Sequence, residues 1–269
     1  MSENPKLIRT TTLALFKQEG RKFSCLTSYD NLTAGIFDEA GIEVILVGDS
    51  AADNALGYST TLPITVDEMI PFGRAVSAAV SRALVVIDLP FGSYEASDDL
   101  ALANAIRFMK ESGASAVKLE GGVRSASRIK ALTEAGIPVM AHLGFTPQSV
   151  NALGGFKVQG RGEGAAQLLA DALAIQAAGA FAVVLELVPA ELAREITEQL
   201  HIPTIGIGAG HYTDGQILVW TDFAGLSAHK PRKFVKQYAQ LRSALLAAAI
   251  SYREDVAGGV FPTVENEFD

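Results

Sequence analysis

Residues 39–49 read EAGIEVILVGD: a glycine where a helix would stop, an unbroken apolar run, then a carboxylate. Gly41 suits the left-handed position that ends a helix, and Val44 to Val47 suit a strand buried on both faces. The phrase recurs as ESGASAVKL (111–119), EAGIPVMA (134–141) and AAGAFAVVL (177–185). Each copy turns a helix directly into a strand. Helix and strand therefore alternate, which implies parallel strands joined by crossover helices.

Extending the pattern in both directions predicts eight strands, at 23–28, 43–49, 83–90, 115–121, 138–144, 181–187, 203–210 and 216–220. Helical stretches fall between them, among them 98–112, 123–135, 163–178 and 189–200. Eight units in roughly 250 residues match a closed (β/α)₈ TIM barrel. The rival, an open doubly wound sheet, would carry GxGxxG after its first strand, and none is present. Residues 11–19 read as a short helix covering the barrel floor, 234–252 as a long C-terminal helix, and GGVFPTVENEFD as an irregular arm. No linker composition interrupts the chain, so residues 1–269 are expected to form a single domain.

Composition narrows the function. With 49% hydrophobic and 19% charged residues there is material for a large core. No apolar run reaches the ~18 residues that suggest a membrane span. The opening MSENPKLIRTTTLALFKQEGRK is unlike a secretory leader, so the expected location is cytoplasmic. A net charge of -8 without a basic cluster argues against nucleic acid as a partner. Cys25 is the sole cysteine, which excludes an internal disulfide, and FSCLTSY around it reads as core.

In a barrel of this kind the chemistry stands at the C-terminal strand ends. Asp49 and Ser50 end the second predicted strand, Asp88 the third, Lys118 and Glu120 the fourth, His142 the fifth and Glu186 the sixth. Lys118 and Glu120 are two apart and share one strand face. A lone carboxylate at such a position is often only a cap for the next turn. Three carboxylates at one mouth repel, so some must be protonated or a cation must sit among them, and Lys118 alone cannot balance three. Oxygen ligands without a Cys or multi-His cluster suit Mg²⁺. His142 reads as a substrate donor, a core histidine or a ligand. GIGAG at 206–210 reads as an anion cradle at a helix start or as a tight turn. His201, His211 and His229 suit surface or packing roles.

Taken in order, VGDS (47–50), DLPFGSY (88–94), VKLEGG (117–122), AHLGFTPQSV (141–150), DGQILV (214–219) and the late Phe-Pro closely resemble the ketopantoate hydroxymethyltransferase family, over nearly the whole chain. The resemblance implies a Mg²⁺-binding (β/α)₈ barrel that moves a one-carbon unit from 5,10-methylenetetrahydrofolate onto 3-methyl-2-oxobutanoate in pantothenate synthesis. It implies that Asp49, Asp88 and Glu120 form the metal environment. It implies that Asp49, Ser50, Asp88, Lys118 and His142 contact the keto acid and that Glu186 is the base. It further implies a homodecamer.

The expected chemistry is removal of the C3 proton from a keto acid whose carbonyl is polarised by Mg²⁺, then attack of that carbon on the methylene donor. The small-residue loop AADNALGYSTT (51–61) is expected to close over the site. A Mg²⁺-dependent lyase or aldolase for pyruvate-like acids would use the same machinery. A non-catalytic anion binder would have no need of a base.

Overall fold

The computed structural model describes residues 6–268. Eight parallel strands form a closed barrel in chain order: β1 (Phe23–Thr27), β2 (Val44–Val47), β3 (Leu84–Asp88), β4 (Ala116–Glu120), β5 (Val139–Gly144), β6 (Ala182–Glu186), β7 (Thr204–Ile207) and β8 (Gly215–Leu218). The pairings Phe23↔Gly215 and Cys25↔Ile217 close the cylinder between β1 and β8. The predicted barrel is present.

The recurring phrase behaves as its composition requires. After the helix Asn31–Glu39, Gly41 adopts φ +85°, and after Ala126–Glu134, Gly136 adopts φ +83°. In the first turn the Gly41 N–H donates to Asp38 O and the Ile42 N–H to Phe37 O, each at 3.0 Å. Orphan carbonyls at the helix end are thus satisfied, and the chain is aimed into the next strand. Helix starts are equally local. Asp30 accepts from the Thr33 N–H, Ser97 from Leu100, and Thr65 forms a reciprocal box with Glu68 at the head of Val66–Ala79.

Alternate strand residues fill the interior: Phe23 and Cys25, Val44 and Leu46, Leu84 and Val86, Ala116, Met140, Ala182 and Val184, Ile205 and Ile217. Ile8 joins this cluster, as do Leu13 and Phe16 of the helix Thr10–Gln18. That helix closes the floor, as expected, and each large side chain it buries contributes roughly 1.5–3 kcal/mol. Cys25 lies within the core, where burial, and then the Glu43 charge, push its thiol pKa well above the ordinary range.

One open reading is decided and one expectation is corrected. Residues 208–214, between β7 and β8, contain no helix. Gly208 (φ +63°) and Gly210 (φ +79°) instead turn the chain sharply, and the Thr204 N–H donates to Asp214 across the connection at 2.8 Å. GIGAG is therefore a turn with no helix start behind it. The long C-terminal helix runs Leu241–Ala257 rather than 234–252, because the Tyr238 and Leu241 N–H groups donate to Phe223 O and Ala224 O instead of starting a helix.

The chain divides into two compact units at Val219 and Trp220. The second contains the short helix Trp220–Phe223, the helix Leu241–Ala257, none of whose residues is buried, and a 3-10 turn at Val264–Asn266 within the arm expected to be irregular. No described helix is long and apolar enough to cross a membrane.

Candidate active site

Four strands carry their inward-facing row beyond the apolar layers into ionisable groups. Val86 is followed two residues on by Asp88, Ala116 by Lys118 and then Glu120, Met140 by His142, and Val184 by Glu186. Strand alternation keeps each on the interior face, at the C-terminal end of the barrel. The predicted residues Asp49, Asp88, Lys118, Glu120 and His142 are all buried.

The β3/β4 register sets Asp88 opposite Lys118. The Lys118 Nζ donates to both carboxylate oxygens, at 2.6 and 2.7 Å. Burial by itself lowers the lysine pKa, but the carboxylates of Asp88, Glu120 and Asp49 outweigh it and hold the ammonium firmly charged.

Asp49 arrives from a neighbouring strand by a different route. β2 ends at Val47, and a Cβ on Gly48 would come within 2.9 Å of Ser50 Oγ, so the turn is built around a glycine. The Asp49 N–H then donates to Asp88 Oδ2 at 3.2 Å. Burial, reinforced by the charges of Asp88 and Glu120, pushes the Asp49 pKa up to about 8 against the opposing pull of Lys118 and Gln148. Ser50 is half-buried, and its Oγ lies 2.7 Å from the hydroxyl of the buried Tyr29.

The second half of the site is a row across β4, β5 and β6. Glu120 pairs in register with His142, and Gly144 with Glu186. The imidazole stands between two carboxylates, with Nδ1 3.3 Å from Glu120 Oε1 and Nε2 3.3 Å from Glu186 Oε2. Neither contact has hydrogen-bond geometry, so Glu120 Oε1 and both ring nitrogens are buried without a partner. Burial and Lys118 both lower the His142 pKa, yet its contacts with Glu120 and Glu186 prevail and raise it to about 9.

Two residues joining the halves were not singled out from the sequence, although both lie in motifs quoted for the family likeness. Gln148 donates from Nε2 to Asp49 Oδ2 and to Leu89 O, each at 3.0 Å, and from its backbone N–H to Glu120 Oε2 at 3.1 Å. Tyr94 donates its hydroxyl to Gln148 Oε1 at 2.6 Å and accepts the Glu120 N–H at 3.2 Å. A buried amide beside two carboxylates would have been a signal, but sequence spacing does not reveal burial. His201, His211 and His229 are exposed and lie outside this network.

Among the described residues no three His, Cys, Asp or Glu side chains by themselves gather into a metal-holding group. The donor set still suits a hard cation. It is all oxygen, the charges of Asp88 and Glu120 help to raise the Asp49 pKa, and Glu120 Oε1 lacks a hydrogen bond. An ion here would complete its shell with water or substrate, the usual habit of Mg²⁺.

A family model described as ketopantoate hydroxymethyltransferase matches residues 7–264. The chain is 59% identical over 267 residues to a 3-methyl-2-oxobutanoate hydroxymethyltransferase of Leifsonia xyli, covering 99% of this chain and 96% of that protein. It is 61% identical over 261 residues to one of Mycobacterium tuberculosis, covering 97% and 93%. Similar solved structures include a phosphonopyruvate hydrolase complex with oxalate and Mg²⁺, at TM-score 0.63 and 14% identity, covering 95% of this chain and 92% of that one. Another is a 2,3-dimethylmalate lyase of the PEP mutase/isocitrate lyase superfamily, at TM-score 0.59 and 16% identity, covering 96% and 91%. At these identities the structural likeness concerns the barrel fold.

Proposed function

Because the chain belongs to the ketopantoate hydroxymethyltransferase family, we propose that its barrel mouth transfers a one-carbon unit from 5,10-methylenetetrahydrofolate to 3-methyl-2-oxobutanoate, giving 2-dehydropantoate for pantothenate synthesis. One observation carries the mechanism: a buried cation, Lys118, and a row of buried Glu120 and His142 with the partly buried Glu186 project from adjacent strands into the same mouth.

Asp49 and Asp88 are the proposed Mg²⁺ ligands, with Glu120 completing the environment directly or through water. When bound, the ion supplies positive charge at the carboxylate and keto oxygens of the substrate. Lys118 adds a fixed positive charge for the anionic keto acid, and Ser50, held by Tyr29, offers a hydroxyl at the same rim. Glu186 is the general base for the C3 proton, and His142, between Glu120 and Glu186, orients it. The C3 carbon then bonds to the methylene carbon of the donor. Both bonds from that carbon to the folate nitrogens break, water supplies the hydroxyl oxygen, and the C3 proton and one proton of water end on the two nitrogens as tetrahydrofolate leaves. A cavity of about 300 Å³ that reaches Glu120, with Phe91, Tyr94, Arg124 and Arg128 in its wall, gives the larger donor room. The expected loop opens on a short helix, Ala51–Asn54, that buries Ala51 and Ala52, so the proposed lid is the remainder, residues 55–61.

The proposed assembly is the homodecamer of the family likeness. Leu245, Leu246, Ile250, Tyr252 and Val256 are exposed on the helix Leu241–Ala257, which favours association with further copies. The proposed location is the cytoplasm.

The test is incubation with Mg²⁺ and 3-methyl-2-oxobutanoate in heavy water, followed by NMR. Exchange at C3, and condensation only when methylenetetrahydrofolate is added, is the expected result. Exchange without condensation under any donor would indicate a lyase or aldolase, and absence of both would indicate a binder.

A further inference from the structure

Gln148 is buried, belongs to no strand, and bonds two of the three carboxylates assigned to the metal environment, Asp49 and Glu120. Its side chain has no spare capacity. Both Nε2 hydrogens are used, one on Asp49 Oδ2 and one on Leu89 O, and Oε1 accepts from Tyr94. The direction of the amide is dictated by these partners. A backbone carbonyl such as Leu89 O can only accept, so the nitrogen must face it and the oxygen must face the Tyr94 hydroxyl. The group aimed at Asp49 is therefore always a donor, which favours the ionised, ligating form of that carboxylate.

We infer that Gln148, oriented by Tyr94, is a positioning residue that aims the Asp49 and Glu120 carboxylates at the cation. This rests on the proposed assignment of Asp49 and Glu120 to the metal. Tyr94 ties the two halves a second time, because its hydroxyl also accepts the Glu120 N–H. The 3-10 turn Pro147–Ser149 supplies the remaining contact, since the Gln148 N–H meets Glu120 Oε2. A ligand held from outside in this way has its rotamer chosen before the ion arrives, and loss of such a partner typically costs 10–100-fold in metal affinity or activity.

A residue that merely braced the turn after β5 would change stability when replaced but leave metal affinity alone, so affinity is the readout that separates the roles. Gln148→Met keeps the volume and the backbone N–H while removing the donor to Asp49 and the acceptor for Tyr94. Titration of the metal-free protein with Mg²⁺ by calorimetry, alongside circular dichroism, is expected to show affinity lowered ~10–100-fold with the fold intact. Tyr94→Phe removes only the fixing hydroxyl, and its affinity should fall by a smaller factor, more than twofold. Asp49→Asn is the control for the underlying assignment. If it weakens Mg²⁺ binding while Gln148→Met and Tyr94→Phe stay within twofold of the parent, the positioning role is wrong and the metal assignment stands. If Asp49→Asn leaves Mg²⁺ binding unchanged, the metal assignment fails, and the inference fails with it. Should Gln148→Met not fold, Tyr94→Phe decides: affinity within twofold of the parent overturns the role, and a larger loss supports it.

Discussion

The two ends of the barrel both bury carboxylates, but they treat them in opposite ways. At the N-terminal ends of the strands, Asp38 accepts from the Ser81, Arg82 and Ala83 N–H groups and from Ser81 Oγ. Glu43 accepts from the Ser24 N–H and Oγ and pairs with Arg21, while Asp214 takes Lys17 at 2.8 Å and the Thr204 N–H and hydroxyl. At the C-terminal ends Glu120 Oε1 and both His142 nitrogens have no hydrogen bond, and Asp49 is crowded by like charge. Each floor carboxylate has dedicated donors, and those on Asp38 hold its pKa below the ordinary value. The mouth also has donors, Lys118 on Asp88 and Gln148 on Asp49 and Glu120, but it leaves part of its polar set without a hydrogen-bond partner. Buried polar groups left unpaired cost free energy, which is tolerated where function requires it.

Substitutions at the mouth should therefore change chemistry more than stability, and those at the floor the reverse. The largest effect is expected from Glu186→Gln, which should bind the keto acid but lose ~10²–10⁴ in turnover, the usual contribution of a positioned base. Its C3 exchange in heavy water should fall with it. Exchange at the parental rate would move the base role to His142.

Lys118→Met comes next. Affinity for 3-methyl-2-oxobutanoate should fall by about 1.5–3 kcal/mol, the scale of a charged hydrogen bond, as measured by calorimetry. Unchanged affinity would mean that Lys118 serves only to neutralise Asp88.

At the floor, Asp38→Asn should lower unfolding free energy by about 2 kcal/mol and leave kcat unaltered. Burial acts to raise the Asp38 pKa, but the donors of Ser81, Ala83 and Arg82 outweigh it and hold it below the ordinary value. The contribution is thus fully present above the unfolded carboxylate pKa and is lost as pH falls through the folded one. Urea midpoints of parent and variant should converge below about pH 4. A gap that persisted in acid would assign the effect to packing.

The smallest effect is expected from Lys17→Met, about 1 kcal/mol of stability, because Asp214 retains its Thr204 donors. A loss of turnover in this variant would show that the two ends of the barrel are coupled.

Most of the architecture was legible because its determinants are local. A glycine that stops a helix, a run that suits a buried strand and a carboxylate two residues beyond the last apolar one are all read within a dozen positions. That is why Asp88, Lys118, Glu120, His142 and Glu186 could be listed as strand-end residues from the sequence. The two readings of the β7–β8 connection were separated only by the structure, where Asp214 reaches back to Thr204 and no helix follows β7.

By itself, the sequence determined the eightfold alternation, the helix at the floor and which residue types stand at the mouth, since strand periodicity and turn conformation act over a few residues. Tertiary structure alone decided the partners. Gln148 lies 28 positions from Glu120 and 99 from Asp49, yet it bonds both. His142 meets Glu120 and Glu186 only because three strands lie side by side in register. A hydrogen bond depends on distance and direction in space, and those exist only once the barrel has closed.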